Sequence, residues 1–64
     1  MEFEVKLYRT KETPGTVVYT EPEETPRDER MIPSLYIRKD CMLDVFGERA
    51  DWPQSVIVTV ESAD

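Results

Sequence analysis

The sequence predicts a small, mainly β domain (α+β in its small helical part) of about four antiparallel strands, with one short helix between the last two. Three observations carry that expectation. Glu2-Phe3-Glu4-Val5-Lys6-Leu7-Tyr8-Arg9 alternates with period two, which is the pattern of a half-buried antiparallel strand. Ser34–Lys39 and Ser55–Glu61 are rich in β-branched and aromatic residues and also alternate in polarity. Pro14-Gly15 lies between the first strand and Thr16–Thr20, where a tight turn would fold one onto the other.

In the first strand Phe3, Val5 and Leu7 share the inward face, and Glu2, Glu4, Lys6 and Tyr8 the outward one. Proline pre-sets the second position of a type II turn and glycine supplies positive φ at the third, so Pro14-Gly15 predicts that turn type. Thr16–Thr20 returns as a second strand with Val17 and Tyr19 inward. Residues 21–33 differ in kind. Glu21 to Arg30 holds five acids, two arginines and two prolines and no apolar residue, so burial cannot offset its ordering entropy. The reading is a flexible, exposed, acidic and proline-rich loop, with Met31 and Ile32 docking on the core at its end.

The third strand places Leu35 and Ile37 on one face and Tyr36 and Arg38 on the other. Asp40 is the expected N-cap of a short helical segment. Met42, Val45 and Phe46 fall on one side of that segment, and Gly47 ends it. Trp52 closes the edge of the core. The last strand directs Val56, Val58 and Val60 inward and leaves Ile57 outward, which calls for cover by the helix or by another subunit. The expected core is Phe3, Val5, Leu7, Val17, Tyr19, Leu35, Ile37, Phe46, Val56, Val58 and Val60.

Composition bounds the function. At 64 residues the chain makes one domain, and such a domain buries only about 60% of its unfolded surface. The single cysteine, Cys41, excludes an intrachain disulfide, and the absence of histidine excludes a typical zinc site. A well-packed core or a homodimer is left to supply stability. No segment resembles a signal peptide or a membrane span, so a soluble, cytoplasmic protein is expected. The net charge of −6, from fourteen acids and eight bases, disfavours nucleic acid and lipid at long range and favours a basic partner.

The catalytic inventory is thin. No imidazole is present to serve a nucleophile, Cys41 reads as a buried or half-buried structural residue, and the two glycines are too far apart for a phosphate loop. No catalytic residue, metal or cofactor is expected. Two binding surfaces remain. The first is the acidic loop, Glu21, Glu23, Glu24, Asp28 and Glu29. Alternate carboxylates on an extended chain lie roughly 6.6 Å apart, near the spacing of successive phosphates, so the loop could imitate DNA in a basic groove. The second is a set of nucleic-acid contacts, Lys6, Arg9, Arg38 and Lys39. If the first and third strands are neighbours, Lys6 and Arg38 share a face with Tyr8 and Tyr36, the mixture that single-strand binders display.

Leu35-Tyr36-Ile37-Arg38-Lys39 followed by Pro53-Gln54-Ser55-Val56-Ile57-Val58-Thr59-Val60-Glu61, with Thr13–Tyr19, resembles small uncharacterised β proteins of phage and bacterial genomes. That resemblance implies no activity. Ile37-Arg38-Lys39, the turn ending in Phe46-Gly47 and the strand Val56–Glu61 also resemble the AbrB-like swapped-hairpin transcription factors, although Arg38 stands where their proline would be. This second resemblance implies an intertwined dimer with Arg38 and Lys39 at DNA. The expected function is therefore a non-enzymatic acidic interaction protein, an inhibitor or DNA mimic of phage type. A small dimeric DNA-binding regulator is the alternative, and a self-assembling structural protein a third.

Overall fold

A computed structural model describes residues 1–64 and shows one curled, fully antiparallel four-stranded sheet with one α-helix. The strands are β1 (Glu2–Glu12), β2 (Thr16–Thr20), β3 (Leu35–Arg38) and β4 (Ser55–Glu61), in the order β3-β2-β1-β4. The helix α1 (Lys39–Phe46) follows β3 directly, and single 3₁₀ turns occupy Arg27–Glu29 and Arg49–Asp51. All four strands pair within one chain, so no exchange of hairpins is needed to complete the sheet.

β1 is the central, long strand, bonded to β2 on one side and β4 on the other. Val5 faces Val58 and Leu7 faces Val56 across the β1–β4 ladder, while Val17 faces Ile37 and Tyr19 faces Leu35 across β2–β3. Period two therefore collects Val5, Leu7, Val17 and Tyr19 on one face of the sheet. Met42 and Trp52 join them to make the core, and Ile32, Leu35, Ile37, Val56 and Val58 pack around it partly buried.

Several expected core positions lie elsewhere. Phe3, Phe46 and Val60 are each 40% exposed. α1 packs on β3 and the Arg49–Asp51 turn and does not reach the end of the sheet where Phe3 faces Val60. Of the expected helical face only Met42 is buried, whereas Val45 is 63% exposed. Met31 also stays in solvent, leaving Ile32 as the residue of that pair that reaches the core. Cys41 is exposed rather than buried, because it precedes Met42 on the helix and so points away from the sheet.

The junctions show where local chemistry departs from the expected form. Gly15 keeps a negative φ, so the type II turn does not form. The Thr13 hydroxyl instead accepts the Thr16 N–H at 3.0 Å, and the Thr13 N–H donates to the Thr16 carbonyl at 2.9 Å. The helix begins two residues early, after Arg38, and Asp40 lies within its first turn without capping it. Gly47 ends the helix at φ 85°, ψ −142°, a region that side chains other than glycine's do not tolerate, and its N–H donates to Leu43. Tyr19 and Trp52 then fasten the following loop. The Tyr19 hydroxyl donates to the Pro53 carbonyl at 2.8 Å and the Trp52 indole N–H to the Gly47 carbonyl at 2.9 Å.

An eight-residue helix has no stability of its own in water, so α1 depends on the burial of Met42. Met42→Ala should cost about 2–5 kcal/mol, while Val45→Ala should cost under about 0.5 kcal/mol. Urea unfolding followed by Trp52 fluorescence measures both. Equal costs would show that the two side chains share one environment.

Candidate functional site

The acidic segment is not a bare linker. Glu21 follows β2 in the same alternation as Val17 and Tyr19, which turns its side chain toward the core, and it is only 8% exposed. There its Oε2 accepts the Ile32 N–H at 2.8 Å, tying the start of the segment to its end. Arg30 fastens the middle, its Nε donating to the Thr25 carbonyl at 3.1 Å. Thr25 N–H donates to Pro22 and Glu29 N–H to Pro26, both at 2.9 Å. The segment is turned rather than extended, so the regular phosphate-like spacing of an extended chain is not present. Glu21 does not belong with the partner-facing acids, because its carboxylate is buried and already engaged. Glu23, Glu24, Asp28 and Glu29 remain exposed.

The face of the sheet opposite the core is open at its rim but closed over Val18 at its centre, and Pro22 and Glu24 come up beside Tyr8 there. Glu2, Glu4, Lys6 and Tyr8 stand beside Glu61, Thr59, Ile57 and Ser55 on it. Tyr36 flanks Val18, and Arg38 flanks Thr16. Lys6, Tyr8, Tyr36 and Arg38 thus do share this face, although β2 and not direct adjacency joins the strands that carry them. Ile57 and Tyr36 are 67% and 58% exposed. Charge divides along the face: Glu2, Glu4 and Glu61 gather at one corner, and Lys11 and Arg38 lie toward the other. Lys6 Nζ sits 5.4 Å from the Tyr8 ring centroid, a cation–π contact. Val18 is 1% exposed on this same face, the second layer of burial that its position between Val17 and Tyr19 concealed.

Arg9 and Lys39 are not part of that face. A β-bulge between Arg9 and Lys11 reverses the alternation of β1, and the Thr10 hydroxyl bonds the Val18 carbonyl there. Arg9 thus stands opposite Tyr19 on the core side, and the bulge brings Glu12 to that side opposite Val17. Glu12 receives Lys39 Nζ at 3.3 Å on one oxygen and Arg49 at 2.6 Å on the other. One carboxylate so ties β1 to the start of α1 and to the Arg49–Asp51 turn. Arg9, Thr10, Lys11, Glu12 and Arg49 line an open groove of about 330 Å³ beside it. A second groove of about 410 Å³ is lined by Arg27, Arg30, Pro33 and Ser34, and a third of about 320 Å³ by Tyr8, Pro22 and Glu24. No three carboxylate or thiol groups converge as a metal site would need.

Two titrations are displaced. Burial pushes the Glu12 carboxyl up, but the hydrogen bonds from Lys39 and Arg49, and their charges, outweigh it and hold its pKa below the ordinary glutamate value. Burial pushes the Tyr19 phenol up, against the nearby Arg9 charge, so it stays the neutral donor that the Pro53 carbonyl requires.

No protein-family model matches the chain, and no curated protein or solved structure matches it. No helix is long and apolar enough to cross a membrane.

Two outcomes test these fastenings. A carboxyl whose folded pKa is depressed contributes stability above its unfolded value, lost as pH falls through the folded value. Wild type should therefore lose more stability than Glu12→Gln between about pH 6 and about pH 3, measured by urea unfolding at each pH. Parallel loss in both would remove Glu12 from the fold's acid sensitivity. Glu21→Ala should accelerate trypsin cleavage after Arg30, because the segment opens and frees that side chain from the Thr25 carbonyl. Unchanged cleavage kinetics would mean that the Glu21–Ile32 bond does not hold the segment.

Proposed function

We propose that the protein works without catalysis, as an acidic interaction protein that occupies a basic protein surface in place of nucleic acid, in the manner of a phage-encoded inhibitor. The observation that carries this reading is the fixed presentation of Glu23, Glu24, Asp28 and Glu29 on a segment fastened by Glu21 and Arg30. Carboxylates held before contact spare a complex much of the ordering cost that a free loop would add. The net charge of −6 supports it further by steering basic surfaces in and polyanions away. No cofactor or metal has a part in it.

The shared placement of Lys6, Tyr8, Lys11, Tyr36 and Arg38 favours a second reading, a small DNA-binding regulator using the open sheet face. Against it stand the acidic corner on the same face and the engagement of Lys39 with Glu12 on the other. The Arg38–Asp40 pair, 3.4 Å apart with both side chains about four-fifths exposed, leaves Arg38 nearly free for either role.

A pull-down from a bacterial lysate, with and without nuclease and read by mass spectrometry, separates the two. The proposed function expects one nucleic-acid-handling protein in both samples. It should be lost when Glu23→Gln, Glu24→Gln, Asp28→Asn and Glu29→Gln are combined; all four side chains are exposed, so the fold should survive. Recovery of DNA itself, with proteins that vanish after nuclease and with dependence on Lys6 and Arg38, overturns it in favour of the regulator.

A further inference from the structure

β4 is an edge strand of seven residues: β1 is the only strand bonded to it, and Val56 and Val58 pack against the core on one face. The direction of its unpaired groups follows from one bond. The Arg9 N–H donates to the Gln54 carbonyl at 2.8 Å, one step beyond the Tyr8–Ser55 pair. Antiparallel pairs alternate between those that exchange both bonds and those that exchange none. Gln54, Val56, Val58 and Val60 therefore turn N–H and C=O toward β1. Ser55, Ile57, Thr59 and Glu61 turn theirs outward, to no partner.

Edges of this kind are normally blunted by proline, lysine, a bulge or brevity. β4 has no proline or basic residue, and its register with β1 is regular throughout. The opposite edge, β3, has four residues and runs straight into α1.

We propose that β4 is a self-association edge, on which a second copy of this chain lays its own β4 antiparallel across a twofold axis at Val58. This register matches all the outward groups. Ile57 meets the partner's Thr59 and Ser55 meets the partner's Glu61, and by symmetry the reverse, for roughly eight backbone hydrogen bonds. Moving the axis to Ile57 or Thr59 strands one outward residue on each chain. On the core face Val58 meets the partner's Val58 and Val56 meets the partner's Val60, so the valine row continues across the seam and the 40% exposed Val60 gains a neighbour.

Charge and area agree. Antiparallel addition sets the two acidic corners at opposite ends of the seam, Glu61 standing roughly 20 Å from the partner's Glu61 at about 3.4 Å per residue. Parallel addition would bring them together. The chain exposes 4974 Å², whereas a compact monomer of this mass exposes about 4,200 Å². The excess is close to the roughly 800 Å² that each partner contributes to a standard interface.

Light scattering behind gel filtration over a dilution series should give twice the 7.5 kDa chain mass. Thr59→Pro removes an outward N–H and no bond of the chain's own sheet, so it should keep the Trp52 fluorescence of the fold while raising the dimer dissociation constant at least about tenfold. In a Cys41→Ser background, Val58→Cys should form the disulfide dimer faster than Ile57→Cys or Thr59→Cys. Its two Cα atoms would meet in the pair type separated by about 4.5 Å, within disulfide reach. Monomer mass at every concentration overturns the proposal, as does a dimer unaffected by a folded Thr59→Pro. Fastest cross-linking at position 57 or 59 overturns the Val58 axis, and that readout stands even if the proline variant fails to fold.

Discussion

Cover is the scarce quantity in this molecule. A four-stranded sheet has two faces and two edges, and after building it the chain has one eight-residue helix and a few loop side chains left to lay over them. The result is a slab 17 Å thick in its shortest dimension with a Cα radius of gyration of 12.7 Å, against about 11 Å for a compact domain of this length. The core face is closed except at the end where Phe3 faces Val60, and the opposite face is closed only around Val18. The small core, the exposed Phe3 and Val60, the largely open outer face and the open β4 edge all follow from that one shortage.

Polar side chains at the margin of the core do what further apolar layers do in larger domains. Tyr19 and Trp52 bury their rings and spend their single donors on the Pro53 and Gly47 carbonyls, which fixes the loop between α1 and β4. Glu21 turns inward and takes the Ile32 amide, so that Ile32 packs while the rest of the acidic segment stays out. Glu12 gathers Lys39 and Arg49 where the helix leaves the sheet. No buried side-chain nitrogen or oxygen is without a partner, so each of these polar groups closes a seam without an uncompensated desolvation cost.

The strands were legible because each keeps an apolar row at period two on its core face, even where Val18, Tyr36 and Ile57 put apolar side chains on the other face, and the sequence order of strand, strand, strand, helix, strand is the order found. Legibility failed where a single residue changes phase. The bulge at Thr10 carries no sequence mark, yet it moves Glu12 to the core side and Lys11 to the open face, and so divides the basic residues between two faces. Glu21 was readable: it continues the inward alternation of Val17 and Tyr19, but its charge and its acidic neighbours outweighed that signal. Met42, Val45 and Phe46 share a helical side on paper. A helix that meets the sheet at one short strand buries only the residue at the point of contact, and that point is set by tertiary packing. The pairing order β3-β2-β1-β4 is likewise a long-range fact that no local pattern states.

Where the charge sits explains how a chain with so much uncovered apolar surface can use it selectively. The acidic corner of Glu2, Glu4 and Glu61 lies at one end of the β1–β4 ladder, and the middle of β4 is uncharged. A strand approaching in parallel, or slid toward the corner, meets like charge if it is itself a copy of this chain. An antiparallel copy centred on the valines does not. Meanwhile the exposed carboxylates at residues 23, 24, 28 and 29 belong to the segment that joins β2 to β3 and share no strand with β4. An edge that joins copies and a charged segment that meets a basic partner would thus use different residues of one thin slab. A dimer joined along β4 would present two acidic segments. Such a pair gains from bivalent attachment when the basic sites it meets lie at matching separation.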